Sequence, residues 1–210
     1  RLCHLAGEIQ RIALSATVQP LSVISRFVGG FGQGGRARPV TVLQSPDSKD
    51  YRLRVEHAET ASRDAFWADL SLRVSEIVER EHPVLVFANS RRHAEHFTLR
   101  LNENRDAPLA WAHHGSLSRE VRQDVEERLK AGSVPAIVST STLELGIDVG
   151  SLRHVILLGA PPDIGSALQR LGRAGHQVGA PSSGTLFPLH GRDLVDAAMI
   201  AAGVRDRAIE

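Results

Sequence analysis

Residues 83–88 read Pro83-Val84-Leu85-Val86-Phe87-Ala88, an apolar run with no polar alternation. A strand with one face in water alternates apolar and polar residues. An unbroken run therefore predicts a central parallel strand covered on both faces. The chain on either side alternates strand with helix. Upstream, 52–55 is a candidate strand, and 62–80 is a helix with Phe66, Leu70, Val74 and Ile77 on one stripe. Downstream, a helix at 93–101 carries Ala94, Phe97 and Leu101, and 108–112 is a strand. Ser118 caps a helix bearing Val121, Val125 and Leu129, which Gly132 stops. Strands follow at 134–139, 152–159 and 185–189. A short helix at 164–171 and a last helix at 192–202, with Leu194, Val195, Ala198 and Met199 inward, complete the pattern. This spacing predicts an α/β fold built on an open, mostly parallel sheet with helices on both faces.

The first 45 residues stand apart. Runs at 12–16 (IALSA) and 39–43 (PVTVL) read as strands, and 21–28 reads as a helix entered through Pro20. The stretch 29–35 (GGFGQGG) reads as a loop. Two strands and a helix are too little for a core, so 1–45 is expected to be the end of a preceding domain or an added arm, and 46–210 the domain itself. The opening RLCHLAGEIQ looks like neither a signal peptide nor a protein start.

The whole chain has 210 residues, 42% of them apolar and 23% charged, which suits a soluble globular protein able to bury a core without staples. Lys+Arg number 25 against 24 Asp+Glu, so the net charge of +1 excludes a polycationic tail but not a local basic patch. A single cysteine, Cys3, excludes an internal disulfide framework and leaves almost nothing for a cysteine zinc site, so the expected metal count is none and the expected compartment is reducing. No apolar run approaches the roughly 18–20 residues of a membrane span.

Open α/β sheets bind ligands beyond the carboxyl ends of their strands. There this sequence places Asn89, Ser90 and Arg91, then His113, His114, Gly115 and Ser116, then Thr140 and Ser141, and last a Pro-Pro turn leading to Arg170 and Arg173. Polar and cationic groups at one sheet edge suit a polyanion. In Gln169-Arg170-Leu171-Gly172-Arg173-Ala174-Gly175-His176, one helical turn separates two guanidiniums whose forks match phosphate oxygens. A solvated helix end with surface arginines is the plain alternative. In 139–150, four hydroxyls follow a strand and Asp148 can accept from a ribose hydroxyl pair; a capped short helix and a turn Asp explain the same residues. Adjacent His113 and His114 point apart on a strand and make a poor metal pair, while the backbone of Gly115 and Ser116 can hold a phosphate. His93 and His96 read as surface residues. Gly30, Gly32 and Gly35 have the spacing of a dinucleotide fingerprint but lack the strand–turn–helix context, and as a phosphate loop they have Arg36 and Ala37 where lysine and a hydroxyl belong.

Ser15-Ala16-Thr17, VLVFANSR (84–91), His114-Gly115-Ser116, TSTLELGIDVG (140–150) and QRLGRAGH (169–176) occur in the order of motifs III through VI of superfamily 2 helicases. The run 143–148 and the ending Gly175-His176 most resemble the large helicase-related (Lhr) type. The resemblance implies a RecA-like fold, with ATP between two RecA-like domains and single-stranded nucleic acid across both. It makes 1–45 the C-terminal remnant of the first RecA-like domain with its linker, and 46–210 the second. Ser15 and Thr17 would couple the lobes. Asn89, Ser90, Arg91, Gly115, Ser116, Thr140 and Ser141 would touch the sugar-phosphate track. Gly146, Asp148 and His176 would face ATP, and Gln169, Arg170 and Arg173 would be catalytic, with Arg173 a candidate arginine finger. His176 stands where many relatives have arginine, and Ser141 stands where DEAD-box relatives have aspartate.

The implied partners are single-stranded DNA, RNA or an RNA–DNA hybrid, and the first RecA-like domain of the same polypeptide, with no membrane and a cytoplasmic, nucleoid-associated site of action. ATP and Mg2+ are the implied cofactors of the intact protein. The sequence contains no G-x-x-x-x-G-K-[ST] loop and no Asp-Glu magnesium motif, so this chain alone is expected to bind neither firmly and to be inactive. The competing reading is a non-hydrolysing nucleic-acid binding module on the same fold. A nucleotide-sugar or cofactor enzyme would need a glycine-rich loop where Asn89 to Arg91 stand.

Overall fold

The computed structural model describes residues 7–15, 20–32, 34–43, 50–57, 62–144, 152–175 and 181–206. They divide into two units, one within 1–48 and one within 49–208. The first unit has a single described helix, α1 (Leu21–Gly29), entered from Pro20. Arg38 ties this unit together through Glu8, at 2.7 and 3.0 Å, and through the Gly29 carbonyl at 3.2 Å. Neither expected strand forms. Residues 12–15 and 39–43 are irregular, with Ile12, Leu14 and Leu43 78%, 94% and 90% exposed. An apolar, β-branched run becomes a strand only when a neighbour takes up its N–H and C=O groups. Among the described residues of this unit the one such pairing is a bridge between Phe31 and Ala37. Gly29 closes α1 rather than opening the loop.

The second unit is a six-stranded sheet: β1 (Tyr51–Val55), β2 (Val84–Ala88), β3 (Ala110–His113), β4 (Ala136–Ser139), β5 (His154–Leu158) and β6 (Ser182–Phe187). The order is β1-β6-β5-β2-β4-β3, and every pair is parallel. All five β2 residues are buried, as the unalternating run demands. The helices are α2 (Arg63–Glu81), α3 (Arg91–Asn102), α4 (Arg119–Lys130), α5 (Ile164–Leu171) and α6 (Gly191–Asp206). Four begin at side-chain caps: Ser62 accepts from Ala65 N–H, Ser90 from His93, Ser118 from Val121 and Asp163 from Ser166. Each cap satisfies a donor that the first helical turn leaves open.

Alternate strand residues face opposite sides. Val84, Val86 and Ala88 join Leu70 and Val74 of α2 and Ala94, Phe97 and Leu101 of α3 in one core. Phe87 points the other way, where Arg170 of α5 lies 5.4 Å from its ring centroid. Helices therefore cover both faces. A Cβ at Gly184 of β6 would stand 2.4 Å from Leu171 Cδ2 and 2.9 Å from the Val155 carbonyl, so glycine is what lets α5 sit down on the sheet.

The last helix is rotated from the expected phase. Asp193, Ala197, Ile200, Gly203 and Val204 are buried, whereas Ala198 is exposed and Leu194, Val195 and Met199 are 37%, 65% and 69% exposed. A Cβ at Gly203 would lie 2.3 Å from Ile164 Cδ1. The small-residue stripe faces inward because α5 approaches too closely for a bulky one.

From β2 the chain runs outward to β3 and back to β4; it then crosses β2 to β5 and continues the other way to β6. The carboxyl ends of β2 and β5 thus flank the topological switch point, the usual ligand crevice of such sheets.

Candidate functional site

Asn89, the first residue after β2, bridges that crevice. Its Nδ2 donates to the Ala160 carbonyl beyond β5 at 2.7 Å, and its Oδ1 accepts from Arg170 Nη1 at 2.9 Å. Arg170 is only 4% exposed. Its Nε donates to Glu144 Oε2 at 3.2 Å, and the other Glu144 oxygen accepts from the Ser166 hydroxyl at 2.5 Å. The Glu144 carbonyl accepts from Arg173 Nη2 at 2.7 Å. One glutamate after β4 therefore holds both arginines of the 169–176 segment, one by its carboxylate and one by its backbone. α5 ends at Leu171, so Arg173 sits in the turn beyond it, and it is Glu144 that brings the two arginines to one partner. A buried guanidinium must be paired and hydrogen-bonded, and Arg170 is both.

Asp193, at the start of α6, secures the same edge. Its Oδ1 accepts from Ala160 N–H at 3.0 Å and its Oδ2 from Leu189 N–H at 2.8 Å, which pins the turns beyond β5 and β6 together. Neither Glu144 nor Asp193 stood out in the sequence. Each acts on residues far along the chain, and a lone acid near a helix start looks like a cap.

The other predicted groups lie along the carboxyl ends of β2, β3 and β4. Ser90 is the α3 cap, and Arg91 Nη1 donates to the Ser116 hydroxyl. Gly115, Ser116 and Ser141 are exposed, and Thr140 and Gln169 are half-buried. Thr140 N–H donates to the His113 carbonyl at 3.2 Å. Ser139 and Thr142 turn inward instead: their hydroxyls are 3.2 Å apart, and Thr142 Oγ1 is 3.0 Å from His113 Nδ1. His113 Nε2 is 2.8 Å from Glu126 Oε1, so this buried imidazole joins α4 to the turn after β4. His114 Nδ1 accepts from Ser116 N–H at 3.3 Å, while its Nε2 lies 2.9 Å from Glu95 Oε1 but out of line for a hydrogen bond. His113 serves the structure, while the buried His114 leaves its Nε2 without a hydrogen bond among the described residues. Ser15 is exposed in the first unit. Thr17, Gly146, Asp148 and His176 lie outside the described residues.

Two histidines have proton affinities below the ordinary imidazole range. Burial lowers His154 first; its Nε2 sits 3.0 Å from Thr185 Oγ1. His93 is lowered by burial, then by Arg92, His96 and Arg63. His93 and His96, expected as plain surface, flank Trp67 on the helices of one face, with ring centroids 6.1 and 5.3 Å from the indole.

Among the described residues no three His, Cys, Asp or Glu groups cluster to hold a metal ion. The two carboxylates at the crevice, Glu144 and Asp193, are taken up by internal donors and do not fit a magnesium site. No described helix is long and apolar enough to cross a membrane. What the edge offers is a rigid row of hydroxyls, backbone N–H groups and guanidiniums, suited to phosphates.

The profile of the helicase conserved C-terminal domain matches residues 69–177. ATP-dependent helicase Lhr-Core protein 2 of Thermococcus barophilus is 39% identical over 216 residues, covering 100% of this chain and 25% of that protein. The Lhr helicase/uracil glycosylase of Escherichia coli is 36% identical over 245 residues, covering 93% of this chain and 16% of that one. Among solved structures, the Mycobacterium smegmatis helicase Lhr bound to ssDNA and AMP-PNP superposes with a TM-score of 0.83 at 42% identity, over 93% of this chain and 26% of that chain. This chain thus spans about a quarter or less of the length of the relatives it matches.

Proposed function

The chain belongs to the helicase conserved C-terminal domain family and is closely related to the Lhr-type ATP-dependent helicases, and from that premise we propose that residues 46–210 are the second motor lobe of an ATP-dependent translocase acting on single-stranded DNA. Residues 1–45 are then the closing part of the first lobe and the linker, with Ser15 and Thr17 relaying between lobes. The same backbone contacts suit RNA or an RNA–DNA hybrid, because phosphate contacts carry no base code. Its place of action is the cytoplasm, on nucleoid DNA.

The observation that carries this reading is the Asn89–Arg170–Glu144–Arg173 network at the switch point. It ties the turn after β2, the turn after β4 and the end of α5 into one rigid unit. A nucleotide bound by the first lobe would meet that unit as a whole when the lobes close. Ser90, Arg91, Gly115, Ser116, Thr140 and Ser141 then grip the sugar-phosphate track. Asn89, whose amide is committed at both ends, positions rather than binds. Gly146, Asp148, Gln169 and His176 face ATP. Arg170, buried and paired with Glu144, holds α5 in place, and Arg173 is the finger. On closure its guanidinium offsets charge developing on the transferred phosphoryl group. The phosphate loop and the magnesium carboxylates come from the first lobe, so the chain by itself hydrolyses no ATP.

Replacing Arg173 with alanine in the intact motor tests this. An arginine finger is worth about 10³–10⁵ in turnover. DNA-stimulated ATPase should collapse by that order while melting and single-strand binding stay near wild type. Arg173→Lys should rescue little, since lysine lacks the fork. Near-normal turnover in Arg173→Ala would remove the assignment.

A further inference from the structure

Arg63, Trp67, Arg92, His93 and His96 line a pocket between the N-terminal parts of α2 and α3. Both helices follow strands of a parallel sheet, β1 and β2, so this pocket opens near the edge that carries the strand ends. Trp67 is 7% exposed and forms its floor. The His96 imidazole stands edge-on to the indole, and His93 is tilted against it. Arg63 and Arg92 are exposed and make no ion pair or side-chain hydrogen bond among the described residues. Arg73, Arg105 and Arg128 each have a carboxylate within 4.0 Å, whereas Arg100, Arg119, Arg153 and Arg192, like the pocket pair, have none among the described residues. What sets Arg63 and Arg92 apart is the ring-lined pocket between them. Burial first, and then Arg92, His96 and Arg63, keep a proton off His93. Asp193 alone is on the opposing side there, and its carboxylate is bonded to Ala160 and Leu189.

We propose that this pocket takes one nucleotide of a single strand, with its phosphate between Arg63 and Arg92 and its ring against the imidazole and indole wall. The proposal rests on the nucleic-acid reading above and extends the track by one station. A bare anion would need only the guanidiniums; the ring surface beside them fits a base, for which aromatic faces are sequence-tolerant platforms. The adjoining residue, Arg91, reaches Ser116 on the track side.

Trp67 and Trp111 are the two tryptophans of the chain. In a Trp111→Phe background, a short oligothymidylate should change Trp67 fluorescence saturably, and inorganic phosphate should not. Arg63→Gln with Arg92→Gln should weaken oligonucleotide binding about tenfold. The double variant should also lower the salt slope by about 0.7 for each arginine that meets a phosphate. Affinity and slope unchanged in the double variant would overturn the pocket while leaving the track in place. Phosphate reproducing the fluorescence change would overturn the base contact. A wild-type chain that binds no strand by anisotropy would overturn both the pocket and the reading it extends.

Discussion

Consider Glu144→Ala. The carboxylate side chain is 12% exposed and that of its partner Arg170 is 5% exposed. Removing one member of a buried ion pair costs about 3–5 kcal/mol, because the other charge stays behind in a poor solvent. Here Arg170 keeps Asn89 Oδ1 at 2.9 Å and the Phe87 ring at 5.4 Å, which places the loss near the lower end, about 3 kcal/mol. For a domain of this size that is a fall in Tm of roughly 6–12 °C. Glu144→Gln keeps an acceptor but loses the charge and should cost about half as much. Glu144→Leu with Arg170→Met removes both charges at similar volume and should recover most of the loss, since apolar replacements of buried pairs are often neutral. The assay is thermal and urea denaturation followed by circular dichroism, with an unchanged urea slope showing that the unfolding transition is the same one. In the intact motor, Glu144→Ala should depress ATPase less than Arg173→Ala, because Arg173 is held by the Glu144 carbonyl, which every substitution retains. A Tm within about 2 °C of wild type would refute the claim that Glu144 holds a buried guanidinium.

Gly184→Ala should destabilise by about 1–3 kcal/mol in the same melts, because a Cβ 2.4 Å from Leu171 Cδ2 and 2.9 Å from the Val155 carbonyl forces α5 off the sheet; a neutral result would show that α5 yields freely. Asp193→Ala leaves the N–H groups of Ala160 and Leu189 without an acceptor and should cost about 1–3 kcal/mol for each that stays dry, with faster amide exchange at both positions as the direct readout. The lowered proton affinity of His154 means that, below its ordinary pKa of about 6.5, the unfolded chain binds the extra proton. Stability from this group is therefore whole above that pH and is lost as pH falls through the window beneath it. Melts from about pH 5 to 7.5 should fall more steeply for wild type than for His154→Gln, and parallel curves would refute the reading.

β2 was legible because burial on both faces leaves an unbroken apolar run, and 83–88 is such a run. β6 begins at Ser182, ahead of the expected 185–189, because Ser182-Ser183-Gly184 offers no apolar signal. The Ser118 cap was legible because it acts within three residues of itself. Ser62 and Ser90 cap in the same way, but in the sequence Ser90 reads as a phosphate contact, and its helix begins at Arg91, two residues before the expected 93. What escaped was set by partners distant in the chain. The run at 39–43 has strand composition but no neighbouring strand among the described residues, and it is irregular. The α6 phase escaped because hydrophobicity favours Leu194, Val195 and Met199, while the space left by Ile164 admits only the Ala197–Gly203 side. At the site, the spacing of Arg170 and Arg173 and the hydroxyls after β4 were legible as polar groups at one sheet edge. Glu144 lies 26 residues from Arg170 and could not be matched to it before the fold brought them together.

The edge position of β1 has a consequence for how the molecule comes into being. Among the described residues its one sheet neighbour is β6, the strand of this sheet that comes last in sequence. During vectorial synthesis β1 leaves the ribosome first and waits, its N–H and C=O groups unmatched, until Phe187 has been made. A nascent chain stalled between β5 and β6 carries a finished central sheet and a dangling first strand, Tyr51–Val55, that is able to pair with the wrong neighbour. Such long-range closure is slow for parallel sheets. The interval between the emergence of β1 and that of β6 is therefore the period in which the first strand of this sheet lacks its partner.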